Sequence, residues 1–263
     1  MRHILFPDAC LACNRHVAGH GALCATCWQK LTLIAEPVCD VTGAPFSHDF
    51  GDGAVSADAI ANPPDFHRAR AATVHTGTGR QLVTRLKYHD QLLLAPLMAC
   101  WMTRAGAPML ADADVIIPIP LHWRRFVARR YNQSAELAKH VSKQTGIPLD
   151  TATLRRHRAT RPQVGLTSNA REDNVRGSFA IVDGHEIAVQ GRNIILVDDV
   201  YTTGATANAA ARALRKAKAQ RVDLLTFSRV IPGHEEPQAL AHKPFTSAIK
   251  RLYHRRDKGD DDG

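Results

Sequence analysis

The stretch Ile194-Ile195-Leu196-Val197-Asp198-Asp199-Val200-Tyr201-Thr202-Thr203-Gly204-Ala205-Thr206 decides how this chain is read. Four consecutive apolar residues, mostly β-branched, predict a strand over 193–197 that is buried on both faces, as in a parallel sheet. The strand delivers two adjacent carboxylates to its C-terminal end, where open α/β sheets bind their ligands. A Thr/Gly turn follows, and the Ala-rich run 206–219 predicts a helix. Backbone N–H groups at a helix start, with threonine hydroxyls beside them, form an anion cradle. Glycine at 204 lets the backbone close on a ligand. Carboxylates that accept hydroxyls, next to a phosphate cradle, match the groups of a ribose 5-phosphate.

Working outward, Val222 to Phe227 predicts a second strand, so strand, helix and strand form a βαβ unit of a parallel sheet. Upstream, Asp114 to Pro120 reads as a short buried strand ending in a Pro turn. The run 132–144 reads as a helix stopped by Gly146 and Pro148. A helical pattern covers 79–102. Residues 151–178 are polar and Arg-rich with loop character, and 36–65, rich in Pro, Gly, Asp and Ala, reads as loop or linker. Residues 233–263 are polar, end in three aspartates and read as a tail.

The chain has 263 residues, 44% hydrophobic and 22% charged, which excludes wholesale disorder. Lys plus Arg outnumber Asp plus Glu by 34 to 25, a net charge of +9. Residues 121–176 hold twelve basic and four acidic residues, +8 of that excess. This concentration points to an anionic partner, a phosphorylated small molecule or nucleic acid. The longest apolar stretch, Leu92 to Met102, is broken by Pro96 and is far short of the ~20 residues of a membrane span. No signal-peptide core opens the sequence, so a cytoplasmic protein with reduced thiols is expected.

In that setting Cys10-x2-Cys13 and Cys24-x2-Cys27 read as a four-cysteine zinc site, each pair clamping one side of a tetrahedron. Cys100 reads as a small core residue. A third set of candidates is basic. Arg124, Arg125, Arg129 and Arg130 follow the Pro118-Ile119-Pro120 turn, and Arg155 and Arg156 open a second Arg-rich run; guanidinium groups suit phosphate bidentately. Asn132 is either a ligand contact or a helix cap.

These motifs together resemble a known family. The segment 194–206 resembles the phosphoribosyl pyrophosphate (PRPP) motif of type I phosphoribosyltransferases. Leu86-Lys87-Tyr88, Ile117-Pro118-Ile119-Pro120-Leu121-His122, Arg130-Tyr131-Asn132-Gln133 and the Gln163 to Phe179 pattern narrow the resemblance to the ComF/GntX family of competence-associated proteins. It runs from the first cysteine to about Val230.

The resemblance implies a type I phosphoribosyltransferase fold, a parallel sheet flanked by helices, with an N-terminal zinc ribbon or knuckle. The expected division is 1–60 zinc module and linker, 61–232 phosphoribosyltransferase domain and 233–263 tail. It implies that Asp198 and Asp199 contact the ribose hydroxyls and that Thr202, Thr203, Gly204, Ala205 and Thr206 hold the 5-phosphate. The basic candidates would face pyrophosphate, with Mg²⁺ bridging pyrophosphate and ribose oxygens. The implied chemistry is displacement of pyrophosphate at C1 of PRPP, in a setting of competence, DNA uptake or use of imported DNA. DNA or a competence helicase is the partner the family suggests. A non-catalytic PRPP or nucleotide sensor and a zinc-dependent DNA-binding accessory protein are the alternatives. The family shows a third cysteine pair where this chain has Cys39-Asp40-Val41-Thr42-Gly43, which leaves Cys39 without its partner thiol.

Overall fold

The computed structural model describes residues 9–17, 19, 22–88, 92–121, 131–157 and 177–233. The expected sheet is there. Strands β1 (Ala69–Val74), β2 (Val115–Pro118), β5 (Asn193–Tyr201) and β6 (Arg221–Arg229) form a four-stranded sheet in the order β1-β6-β5-β2, every pair parallel. Strands β3 (Leu154–Arg156) and β4 (Phe179–Ile181) pair antiparallel as a separate ribbon. The helices are α1 (Ala25–Gln29), α2 (Ala57–Ala61), α3 (Gly77–Tyr88), α4 (Ala95–Ala105), α5 (Ala107–Leu110), α6 (Gln133–Thr145) and α7 (Ala205–Lys216).

Parallel strands need crossover connections, and the apolar residues of β5 show where these lie. Ile195 and Val197 join one core with Leu82 and Leu86 of α3, Met98 and Met102 of α4, and Leu137 and Val141 of α6. Ile194 and Leu196 join a second core with Ala207, Ala210, Ala211 and Leu214 of α7. Alternation along a strand thus sends successive side chains to opposite layers, and both faces of the sheet are covered. The small residues of α7 let that helix lie close on the sheet.

Three local expectations change. The single helix expected over 79–102 is two helices with a short 3-10 turn at Leu92–Leu94, because Pro96 lacks an N–H and starts α4 rather than continuing α3. Cys100 is exposed: α4 buries Ala95, Met98, Ala99 and Met102 at helical spacing, and residue 100 falls off that stripe. Within the polar stretch 151–178, Leu154-Arg155-Arg156 is a strand that buries its first and third residues.

The segment just before the stretch read as a linker is fastened to the sheet edge. Ile34 N–H donates to Ala72 and Val74 N–H to Thr32, at 3.0 and 2.9 Å, so the chain runs beside β1. Among the described residues no helix is long and apolar enough to cross a membrane.

Candidate ligand site and metal centre

Strand β5 carries the acidic pair near its C-terminal end, and the two carboxylates have different neighbours. Asp198 Oδ1 accepts from the Ser134 hydroxyl at 2.8 Å and from the Asp199 N–H at 2.9 Å. Asp199 is buried, and its Oδ2 lies 3.0 Å from Lys87 Nζ at the end of α3. Burial pushes the Asp198 carboxyl up and the Asp199 charge adds to it. The Ser134 hydroxyl, the Asp199 N–H and Lys87 pull the other way, leaving Asp198 at about 7.

Ser134 is placed by the start of α6. Asn132 is that helix's N-cap: its side-chain oxygen accepts from Ser134 N–H at 3.1 Å, and its amide donates to the Ile119 carbonyl at 3.0 Å. Of the two readings of Asn132 the structure assigns the cap. Tyr131 donates its hydroxyl to the Leu86 carbonyl, tying the segment before α6 to the end of α3. His75 lies near the same group. Its Nδ1 is 2.8 Å from Ser228 Oγ, and burial, with the charges of Lys87 and Arg80, lowers it to about 4.

Past the acidic pair the chain turns at Thr202 and Thr203, both exposed, and enters α7 through Gly204. Gly204 has φ +77°, the left-handed region, and a Cβ there would stand 2.9 Å from Tyr201 Cε2. No side-chain cap closes the start of α7. Its first N–H groups are therefore without a side-chain acceptor from the N-cap residue. Tyr201 is held in turn by Arg229, whose guanidinium lies 4.5 Å over the ring. Arg229 also donates to the Thr42 carbonyl.

Of the basic candidates, Arg124, Arg125, Arg129 and Arg130 lie outside the described residues, as does the Arg-rich run beyond residue 157. Arg155 is exposed on β3. Arg156 is buried, with its guanidinium 5.2 Å from the ring centre of Phe179 on β4.

The sulfurs of Cys10, Cys13, Cys24 and Cys27 all lie within 4.8 Å of one another, with Cys13 and Cys24 3.7 Å apart. Zinc bonds of ~2.3 Å to four thiolates give tetrahedron edges of about 3.8 Å, so this donor set fits structural zinc and leaves no open position for catalysis. Cys24 N–H donates to Cys10 Sγ at 3.2 Å, a backbone contact that stabilises thiolate. Among the described residues this is the one group of three or more metal-ligating side chains. Cys39 stands apart, fully buried, its Sγ accepting from Thr42 N–H at 3.4 Å and Ser56 N–H at 3.3 Å.

Lys87, Ser134, His75 and the Arg229–Tyr201 pair were not singled out as site residues from the sequence. Lys87, Ser134, His75 and Arg229 sit on other parts of the chain than β5, and no spacing rule links them to it; Tyr201 ends β5 itself, but its contact with Arg229 is not local.

The acidic pair thus stands near the end of a buried parallel strand that leads through glycine into α7, the arrangement expected from the 194–206 motif. The family model for the phosphoribosyl transferase domain matches residues 132–250, and that for the double zinc ribbon domain matches residues 1–60. The chain therefore carries a phosphoribosyltransferase domain behind an N-terminal double zinc ribbon. Its homologues include DNA utilization protein YhgH of Shigella flexneri, 28% identical over 236 residues, 86% of this chain and 98% of that protein. Competence protein F of Haemophilus influenzae is 26% identical over 232 residues, 85% and 98% of the two chains. Competence protein ComFC of Bacillus subtilis is 27% identical over 211 residues, 79% and 84%. The resemblance read from the motifs is borne out. Among solved structures, glutamine PRPP amidotransferase from B. subtilis is 22% identical, covering 54% of this chain and 30% of that one with a TM-score of 0.35.

Proposed function

We propose that this chain binds PRPP with Mg²⁺ and transfers its phosphoribosyl group in the handling of DNA-derived material. The observation that carries the reading is the continuity of β5, the turn and α7: carboxylates, glycine and uncapped N–H groups follow one another within a few residues. The relatives' names, DNA utilization and competence, supply the setting.

In this reading the two carboxylates accept the ribose hydroxyls and fix the sugar. The N–H groups of the 202–206 turn, with the threonine hydroxyls, hold the 5-phosphate. The bond from C1 to the pyrophosphate oxygen breaks with its electron pair leaving on oxygen, and a nucleophile's lone pair forms the new bond at C1. The carboxylate charge close to the sugar stabilises the positive character that develops at C1. Mg²⁺ arriving with PRPP would supply positive charge to offset the leaving pyrophosphate, and Arg124, Arg125, Arg129, Arg130 and Arg155 are the residues of this chain that are candidates to bind that pyrophosphate.

Calorimetry of PRPP with Mg²⁺ on the wild type, Asp198→Asn and Asp199→Asn tests the reading. Binding is expected in the wild type and weakened roughly ten- to a hundredfold in each variant, the loss of one charged acceptor. Equal binding in all three proteins would reduce the motif to a strand cap. Release of pyrophosphate in the presence of nucleobases, amines or ammonia separates the transferase from a PRPP sensor, which would bind without turnover.

A further inference from the structure

We propose that Lys87 is a positioning residue for Asp199 and that the zinc ribbon sets its place through α3. The inference rests on the reading that the acidic pair receives the ribose of PRPP, and adds a residue and a control to that site. Two carboxylates on consecutive residues repel, and Asp199 is buried. The Lys87 ammonium, 3.0 Å from Asp199 Oδ2 and largely shielded from water, offsets that charge and fixes the carboxylate's orientation. An ammonium has three N–H donors, so it can serve more than one oxygen.

What holds Lys87 there is the ribbon. At the start of α3, the Thr78 hydroxyl donates to the carbonyl of the zinc-ligand residue Cys27 at 2.7 Å, and Thr78 N–H to Lys30 at 3.2 Å. Gly77, with φ +45°, lets this approach happen, because a Cβ would run into the Lys30 carbonyl. Along the helix, Leu82, Val83 and Leu86 share one core with Cys10, Ala12 and Cys27. Near its end Arg85 donates to the Ala12 carbonyl, inside the Cys10–Cys13 turn, at 2.8 Å and to Asn14 Oδ1 at 2.5 Å. Lys87 follows two residues later. The helix is thus gripped by both cysteine turns, and its last turn carries the cation that meets Asp199. Metal binding fixes the two turns; the turns fix α3; α3 fixes Lys87.

Arg85→Met and Thr78→Val each remove one grip while leaving every cysteine and every site residue in place. The first readout needs no PRPP: the rate of reductive methylation at Lys87, followed by mass spectrometry. It should be slow in the zinc-loaded wild type and faster by several-fold in both variants and after zinc chelation. The second is a double-mutant cycle on PRPP affinity. Arg85→Met should weaken binding by roughly three- to tenfold in the wild type and leave it unchanged in a Lys87→Met background, since both changes act through one contact. A Lys87 methylation rate that is the same in the wild type and in both variants, at one zinc per chain, overturns the proposal. So do effects of Arg85→Met and Lys87→Met that simply multiply. Absence of PRPP binding in the wild type would instead sink the proposed function, and the methylation rates would still decide whether the ribbon places Lys87.

Discussion

The Ser134 hydroxyl, at the first turn of α6, donates to Asp198 Oδ1 on β5 at 2.8 Å. The bond is one of the few forces favouring the ionised form of a carboxyl that burial and Asp199 hold at about 7. Only the ionised form is a pure acceptor for a ribose hydroxyl. PRPP affinity should therefore rise as pH increases from about 6 to 8, across that value, and level off above it. The ligand's own phosphate also titrates near 6, so Asp198→Asn is the control: the difference between the two calorimetric profiles belongs to Asp198. In Ser134→Ala the rise should move to higher pH, with affinity falling several-fold at pH 7 and recovering by pH 9. A profile unchanged by Ser134→Ala would mean that the hydroxyl does not tune this group.

The same carboxyl predicts a trade between ligand binding and stability. Its folded value lies above the ordinary carboxylate value of ~3.9, so the folded state holds the proton more tightly than the unfolded chain. That contribution to stability is present at acid pH and is lost as pH rises from about 4 to about 7. Asp198→Asn removes the buried charge but keeps the shape. Its Tm should equal or exceed the wild type's at pH 8, with the advantage shrinking toward pH 4, although its PRPP binding is weakened. Thermal denaturation at several pH values checks this. A variant less stable than the wild type at pH 8 would show that the ionised carboxylate is structurally favourable.

The turn into α7 is tested at Gly204. With φ +77° any side chain carries a strain of roughly 1–2 kcal/mol, and here a Cβ would also press on Tyr201. Tyr201 cannot swing away freely, because Arg229 lies over its ring and is itself bonded to Thr42. Gly204→Val should reduce PRPP affinity more than tenfold, and Gly204→Ala by less. Arg229→Met should partly relieve the clash, so Gly204→Ala should cost less affinity in that background. Calorimetry on the four proteins gives the comparison. Additive losses would show that ring and turn are uncoupled.

The legibility of this site in the sequence followed the distance over which its parts communicate. The Asp198 to Thr206 segment was readable because strand burial, the acidic pair, the glycine turn and the helix are consecutive, and each has a local cause. The four cysteines were readable because metal geometry fixes their spacing. Lys87 and Ser134 were quoted or passed over within longer patterns, and nothing local marks the one as the partner of Asp199 or the other as the donor to Asp198. Those contacts exist only once α3 and α6 dock on the same face of the sheet. Arg156 shows the same limit: nothing local in its polar run indicates that Phe179 of β4 faces it. The break between α3 and α4 was announced by Pro96, but the continuous apolar spacing on both sides obscured it.

The double zinc ribbon should hold one zinc in this chain. Cys10, Cys13, Cys24 and Cys27 supply four thiolates at tetrahedral distances. In the second half of the ribbon the turn at Cys39 has Thr42 where a pairing thiol would stand. There the Cys39 sulfur is engaged by the N–H groups of Thr42 and Ser56, contacts that hold the turn closed without a metal. Hydrogen bonding outweighs burial at this thiol and brings it down to about 7. Elemental analysis of protein purified without added metal should give one zinc per chain, and the same value in Cys39→Ser. Cys24→Ala should lose the zinc and, because Cys10 and Cys27 belong to the core that includes Leu82 and Leu86, lower the Tm. A fall of roughly 5–10 °C corresponds to ~2–3 kcal/mol in a domain of this size. Two zinc ions per chain, or a zinc content that drops in Cys39→Ser, would show that the second half of the ribbon binds metal after all.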